Sequence, residues 1–185
     1  VGDETVVSPG ELVILGYAPV PDIAKVVTPD FKGGGFIGFI DLGQGKNRLG
    51  GSALLQSLGQ LGDDSPDIED VGFLKRAFEA VQRLIDEGLI TAYHDRSDGG
   101  LLTTRAEMCI ASNRGATIFA PPETAPIPHF FSEEAGMVFE FPWEAGRRIA
   151  AVLHEFHMPK LIIGATYSSH EPRLTILAND RKSIF

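Results

Sequence analysis

The chain has 185 residues, of which 43% are hydrophobic and 22% charged, a balance that excludes a disordered tail, and no run of about 18 apolar residues offers a membrane span. The net charge is −9, from 16 basic and 25 acidic residues, and no basic cluster interrupts it. Such a chain repels phosphate backbones and anionic lipid alike, so neither nucleic acid nor membrane is expected as a partner.

Taken in chain order, Leu12 to Val20 is an apolar run ending at Pro21 and reads as a buried strand. Pro29-Asp30 and Gly33-Gly34-Gly35 mark a loop, and Phe36 to Leu42, short and aromatic-rich, reads as the next strand. The glycine-rich Gly43–Ser52 segment leads into a helix through Ala53, Leu54, Leu55 and Leu58 to Gly59. Asp70 to Gly88 carries the strongest helical pattern. Val71, Leu74, Phe78, Val81 and Ile85 recur every three or four residues, charges fill the other face, and Gly88 suits the stop. Leu89 to His94 is a strand, Asp95 to Gly100 a loop, Leu101 to Ser112 a helix and Ala116 to Ala120 a strand. A proline-rich connection, Pro121 to Pro128, precedes a strand over Gly136–Phe141. Pro142 then suits the first turn of a helix ending before Pro159. Leu161–Tyr167 and Arg173–Ala178 read as a terminal hairpin. Strands and helices alternate, yet several strands are joined by short loops. The expected fold is therefore α+β, an α/β sandwich with a mixed sheet, rather than a parallel doubly wound sheet.

Three segments carry chemistry. His94-Asp95-Arg96-Ser97-Asp98-Gly99-Gly100 lies between a strand end and a helix start. Asp95 and Asp98 offer carboxylates to a hard cation such as Mg²⁺, and Ser97 offers a hydroxyl. Gly99 and Gly100 allow close approach of a ligand to the backbone, and the helix start favours an anion. The same residues also suit a plain turn before a helix capped by Ser97 or Asp98. The second segment, Asp41 to Ser52, has neither P-loop nor dinucleotide-fingerprint spacing, so a phosphate cradle and a simple glycine turn both remain open. The third, Ser132-Glu133-Glu134, pairs carboxylates for acid/base or metal work, or forms a solvated helix end. The five histidines show no metal-ligand spacing. Cys109, alone in the chain, allows no internal disulfide and reads as a small buried hydrophobe in a reducing cytoplasm. The chain opens without a signal peptide and without Met, and 1–185 is taken as one domain excised from a longer chain.

These segments, in this order, resemble the large phosphoribosylformylglycinamidine synthases. The likeness runs through Asp41-Leu42-Gly43 with Asn47, Leu49-Gly50 and Ser52-Ala53-Leu54; through Ala92-Tyr93-His94-Asp95-Arg96-Ser97-Asp98-Gly99-Gly100-Leu101 with Ala106-Glu107-Met108; and through Phe131, Glu133-Glu134 and Gly136. Within that family the chain is similar to the second C-terminal-type domain of the aminoimidazole ribonucleotide synthetase-related superfamily, whose fold it is expected to share. The resemblance implies an ATP- and glutamine-dependent ligase that converts formylglycinamide ribonucleotide to its amidine in purine synthesis. It implies Asp95 as a Mg²⁺ ligand, Ser97 as an ATP or ADP contact, and His94, Asp98, Gly99 and Gly100 as shapers of the nucleotide loop. The bound nucleotide is either catalytic or a structural ADP. Implied partners are the N-terminal-type synthetase domains and a C-terminal glutaminase domain of the same synthase. One departure is Ser132, where the family usually has Asn.

Overall fold

A computed structural model describes residues 13–120, 125–159, 162–168 and 172–177. The strands are β1 (Gly35–Asp41), β2 (Ala92–Asp95), β3 (Ala116–Phe119), β4 (Gly136–Pro142), β5 (Ile162–Thr166) and β6 (Leu174–Leu177). The helices are α1 (Ala53–Ser57), α2 (Val71–Asp86), α3 (Gly100–Ser112), α4 (Pro126–Phe131) and α5 (Gly146–Glu155). The six strands form one mixed sheet in the order β2-β4-β1-β5-β3-β6, antiparallel except for the parallel β3–β6 pair.

Strand alternation divides the core between the two sheet faces. Ile40, Met137, Phe139 and Phe141 face α2 and α5, meeting Ala77, Ala80, Leu84, Ile149 and Val152. Ile37, Phe39 and Val138 face the other way, with Leu101, Met108 and Cys109 of α3. Glu140 also lies in β4 and is 1% exposed. Its carboxylate accepts from Lys32 N (2.7 Å), Gly33 N (2.8 Å), Thr91 Oγ1 (2.8 Å) and Thr166 Oγ1 (2.6 Å), so the charge is fully hydrogen-bonded and ties the Pro29–Gly34 loop to the sheet.

Five sequence expectations change. Residues 13–20 form no strand and are exposed throughout; Leu12 lies outside the described residues. On α2 the buried stripe is Phe73, Ala77, Ala80, Val81 and Leu84, while Val71 and Phe78 are exposed. The two small alanines let the helix sit close to the sheet and rotate its contact face away from the larger apolar residues. The Pro121–Pro128 connection contains the start of a helix, α4, with Pro126 in its first turn; residues 121–124 lie outside the described residues. Pro142 ends β4 and precedes a 3₁₀ turn over Trp143–Ala145, so α5 starts only at Gly146. Finally, β5 and β6 are not a hairpin, because β3 lies between them and pairs with both. Leu161 and Ala178, the outer bounds of that expectation, lie outside the described residues.

Candidate functional site

Sheet topology gathers the three motif segments. Because β4 runs antiparallel to both β1 and β2, Asp41 at the end of β1 lies opposite Gly136 at the start of β4. Asp95, at the end of β2, lies opposite Met137. The glycine-rich turn, the Asp95–Gly99 loop and Ser132–Ala135 therefore meet at one end of the sheet.

Buried charges knit them together. Asp41 Oδ1 accepts from Gly43 N (3.1 Å) and Arg96 Nη2 (2.8 Å), and its Oδ2 accepts from Gly45 N (2.7 Å). Arg96 is 5% exposed, lies over the Phe39 ring, and also donates to the carbonyls of Glu134 and Ala135. Burial lowers its pKa, with Asp41 opposing. Arg48 Nε and Nη2 grip Glu134 Oε1 and Oε2 at 2.5 and 2.9 Å, a bidentate pair whose acid is fully buried. Burial works to raise the Glu134 pKa, but the Arg48 hydrogen bonds win and hold it below the usual carboxylate value. Ser132, also fully buried, donates from Oγ to the Arg48 carbonyl at 2.8 Å. The short Ser side chain is sufficient for this bond. Ser132 and Glu134 are thus buried and paired rather than part of a solvated helix end, with Glu133 half-buried between them.

Glu133 joins the two glycine segments directly. Its Oε1 accepts from Gly99 N at 2.7 Å and from Ala53 N at 2.8 Å, linking the starts of α3 and α1. Gly100 N donates to the Ser97 carbonyl at 2.9 Å. The N–H groups of Gly99 and Gly100 are therefore satisfied inside the chain, and neither is left for a ligand anion. The glycines have a structural reason as well. Gly99 and Gly100 have φ of +82° and +78°, and a Cβ on Gly100 would lie 2.7 Å from the Phe130 carbonyl oxygen. The cap position belongs to Gly99, with no side-chain cap from Ser97 or Asp98.

The remaining motif residues face outward. The Asp95 side chain is 75% exposed, Asp98 is exposed, and Ser97 is half-buried. Ser97 N contacts Thr104 Oγ1 at 3.3 Å. His94 is held by the Asp95 carbonyl at 2.7 Å, with Nε2 3.5 Å from Glu107. No group of three or more His, Cys, Asp or Glu side chains is placed to share a metal ion among the described residues. Asp95 has the chemistry of a single exposed carboxylate ligand and is not part of such a group. Beside the glycine turn lies a polar cleft of about 210 Å³, lined by Gly43, Gln44, Lys46, Arg48, Asp67 and Glu69. An apolar cavity of about 170 Å³ between β1, β4 and α5, lined by Phe36, Phe139, Phe141, Ile149 and Leu153, shares no residue with this end of the sheet.

Sequence reasoning assigned no role to Arg48 or Arg96. The signal was present in Arg96, a charged residue in a motif whose other members are acids, hydroxyls and glycines. It missed Arg105 altogether. Arg105 is fully buried in α3, and Nε, Nη1 and Nη2 have no hydrogen-bond partner among the described residues. Burial, then the nearby Arg96, lowers its pKa to about 9.

Comparison with known proteins shows the family and the fold. A family model described as AIR synthase related protein, C-terminal domain, matches residues 40–176. The chain is 46% identical over 165 residues to an Arabidopsis thaliana protein named "Probable phosphoribosylformylglycinamidine synthase, chloroplastic/mitochondrial", covering 87% of this chain and 12% of that one. It is 41% identical over 174 residues to a Dictyostelium discoideum phosphoribosylformylglycinamidine synthase, covering 88% and 13%. The chain therefore spans about one eighth of the length of these curated relatives. Thermotoga maritima PurL complexed with FGAR superposes with a TM-score of 0.69 at 19% identity, covering 88% of this chain and 28% of that one; complexes of the same protein with ATP and ADP give 0.64 and 0.66. With its family model running from the end of β1 into β6 and covering both motif-bearing strand ends, the chain belongs to the AIR synthase related protein, C-terminal domain family.

Proposed function

We propose that this chain is one domain, residues 1–185, of a longer phosphoribosylformylglycinamidine synthase, an ATP- and glutamine-dependent ligase that forms formylglycinamidine ribonucleotide from formylglycinamide ribonucleotide. The observation that carries this reading is the convergence of three motif segments at one sheet end, with their buried members locked by ion pairs and Asp95, Ser97 and Asp98 left at the surface. The names of the relatives support it, as do the ATP, ADP and FGAR complexes of the PurL that shares the fold.

In this reading the chain supplies one wall of a nucleotide site completed by other domains. Asp95 offers a carboxylate oxygen to Mg²⁺, Ser97 a hydroxyl to the nucleotide, and His94, Asp98, Gly99 and Gly100 set the loop's shape. Bound Mg²⁺ would supply charge neutralisation at phosphate oxygens, which a chain of net charge −9 does not provide. The Arg96–Asp41 and Arg48–Glu134 pairs hold the loop in register, and Glu133 fixes Gly99. The N-terminal-type synthetase domains and a glutaminase domain are the proposed partners. The proposed location is a reducing compartment, the cytoplasm in the first instance; an organelle is the alternative raised by the name of the Arabidopsis relative.

In a second reading the site holds a structural ADP; the Gly99 and Gly100 N–H groups, occupied from within the chain, are donors to the phosphates in neither reading. Asp95→Asn in the full-length synthase separates the two. A catalytic site predicts a loss of turnover of about 100-fold or more with the melting temperature kept. A structural site predicts loss of bound nucleotide and a lower melting temperature. An unchanged enzyme on both counts removes Asp95 from the nucleotide site.

A further inference from the structure

Buried charges in folded proteins are paired, and buried donors find acceptors. Two side chains on the packed helices α3 and α4 break these rules together. Arg105 of α3 is fully buried, and its Nε, Nη1 and Nη2 have no hydrogen-bond partner among the described residues. His129 of α4 is 7% exposed, and its Nε2 is likewise without a partner there. The two groups are electrostatic neighbours: Arg105 is the charge that bears most strongly on the His129 ring, followed by Arg96.

This part of the interior holds a positive charge that nothing balances. Arg96 has Asp41 as its counter-ion at 2.8 Å, and Arg48 has Glu134 at 2.5 Å. No carboxylate of the described residues plays that part for Arg105. The groups that bear on it are Arg96, which repels it, and Cys109. Burial raises the Cys109 pKa to about 11, so at neutral pH the thiol stays protonated and brings no negative charge. Arg105, lowered to about 9, remains charged. His129, lowered to about 4, remains neutral, and with its proton on Nε2 it donates a hydrogen bond without adding charge. A water molecule here satisfies donors but leaves the charge; an anion answers both needs.

We propose that Arg105 and His129 hold a small inorganic anion of chloride size between α3 and α4. The surroundings set the size. One turn to either side of Arg105 on the buried face of α3 stand Leu101, Met108 and Cys109, all apolar and buried. Neither the polar cleft at the glycine turn nor the apolar cavity beside α5 is lined by Arg105 or His129, so the seat is closed to both. A closed, largely apolar seat suits a monatomic anion. Phosphate brings more charge and four oxygens, which two side chains cannot satisfy. Met108, unbranched and with three rotatable bonds, is the neighbour that yields room. The ion neutralises the unpaired charge and braces α3 against α4. This inference concerns binding alone and stands whether or not the synthase reading does.

Bromide, an anomalous scatterer with the charge of chloride, is the probe. Crystals of the full-length protein in sodium bromide are expected to show an anomalous peak within about 3.5 Å of the Arg105 guanidinium and of His129 Nε2, absent in Arg105→Leu. In solution, hydrogen–deuterium exchange of the α3 and α4 amides is compared in sodium chloride and in sodium gluconate at equal ionic strength, gluconate being too large for the seat. Exchange about tenfold slower in chloride is expected when chloride stands at about ten times its Kd. The difference vanishes in Arg105→Leu and shrinks in His129→Phe, which keeps the charge and removes one donor. Because the anion offsets the desolvation cost, any gain in stability from Arg105→Leu is largest in gluconate. Density at Arg105 without anomalous signal is water and overturns the inference. A carboxylate side chain paired with Arg105, from this chain or another domain, overturns it too. A bromide peak with equal exchange in chloride and gluconate is an adventitious ion only, and overturns it as well.

Discussion

Arg105 is the residue whose environment departs furthest from the rules of burial. A guanidinium with no exposed surface and, among the described residues, no hydrogen-bond partner carries a desolvation cost that only Cys109 opposes. Arg105→Leu keeps the apolar character of the buried face of α3, beside Leu101 and Met108, and is expected to stabilise the fold by about 2 kcal/mol, measured as a shift in the denaturation midpoint. His129 in α4 has the same surroundings. It is 7% exposed with an unpartnered Nε2, and burial, then Arg105 and Arg96, push its pKa down to about 4. Between pH 6.5 and 4 the unfolded chain takes up a proton that the folded chain refuses. Stability is therefore complete above about pH 6.5 and falls as pH drops toward 4, by up to ~1.4 kcal/mol per pH unit. His129→Phe should remove that component from the pH dependence of the melting temperature. Glu134 acts in the same direction at lower pH, since its lowered pKa makes protonation destabilising below the ordinary carboxylate value of 4.5.

Among the elements, α3 and α4 meet at Gly100. Its left-handed φ opposes a side chain, and so does the Phe130 carbonyl oxygen, which would stand 2.7 Å from any Cβ placed there. Gly100→Ala is expected to cost about 3 kcal/mol, combining left-handed strain with displacement of α4, and chemical denaturation reads it directly. Much of the element order was legible beforehand. β1, α2, β2, α3 and β4 stand within a few residues of their expected positions, because alternation and helical spacing are local properties. Rotation about α2 was not legible. Val71 and Phe78 look like core by spacing, but Ala77 and Ala80 are what the sheet accepts. The helix in the proline-rich connection was missed because its six residues carry no amphipathic period, only a Pro suited to the first turn.

At the scale of the whole molecule, the site is a product of strand direction. Asp41, Asp95 and Ser132–Gly136 are far apart in sequence and meet only because β4 runs antiparallel between β1 and β2. At that end the Asp95 and Asp98 carboxylates are exposed, while Asp41 is paired with Arg96 and Glu134 with Arg48. The linear chain by itself determined the class of fold and most of the strands and helices, and it marked three motif segments, since each depends on residue types a few positions apart. Only the tertiary structure decided that Glu134 is buried against Arg48, that Glu133 joins Gly99 to Ala53, that β3 separates β5 from β6, and that residues 13–20 are exposed. These depend on which distant groups come within about 3 Å of one another, a distance that hydrogen bonds and ion pairs require and that local pattern does not contain.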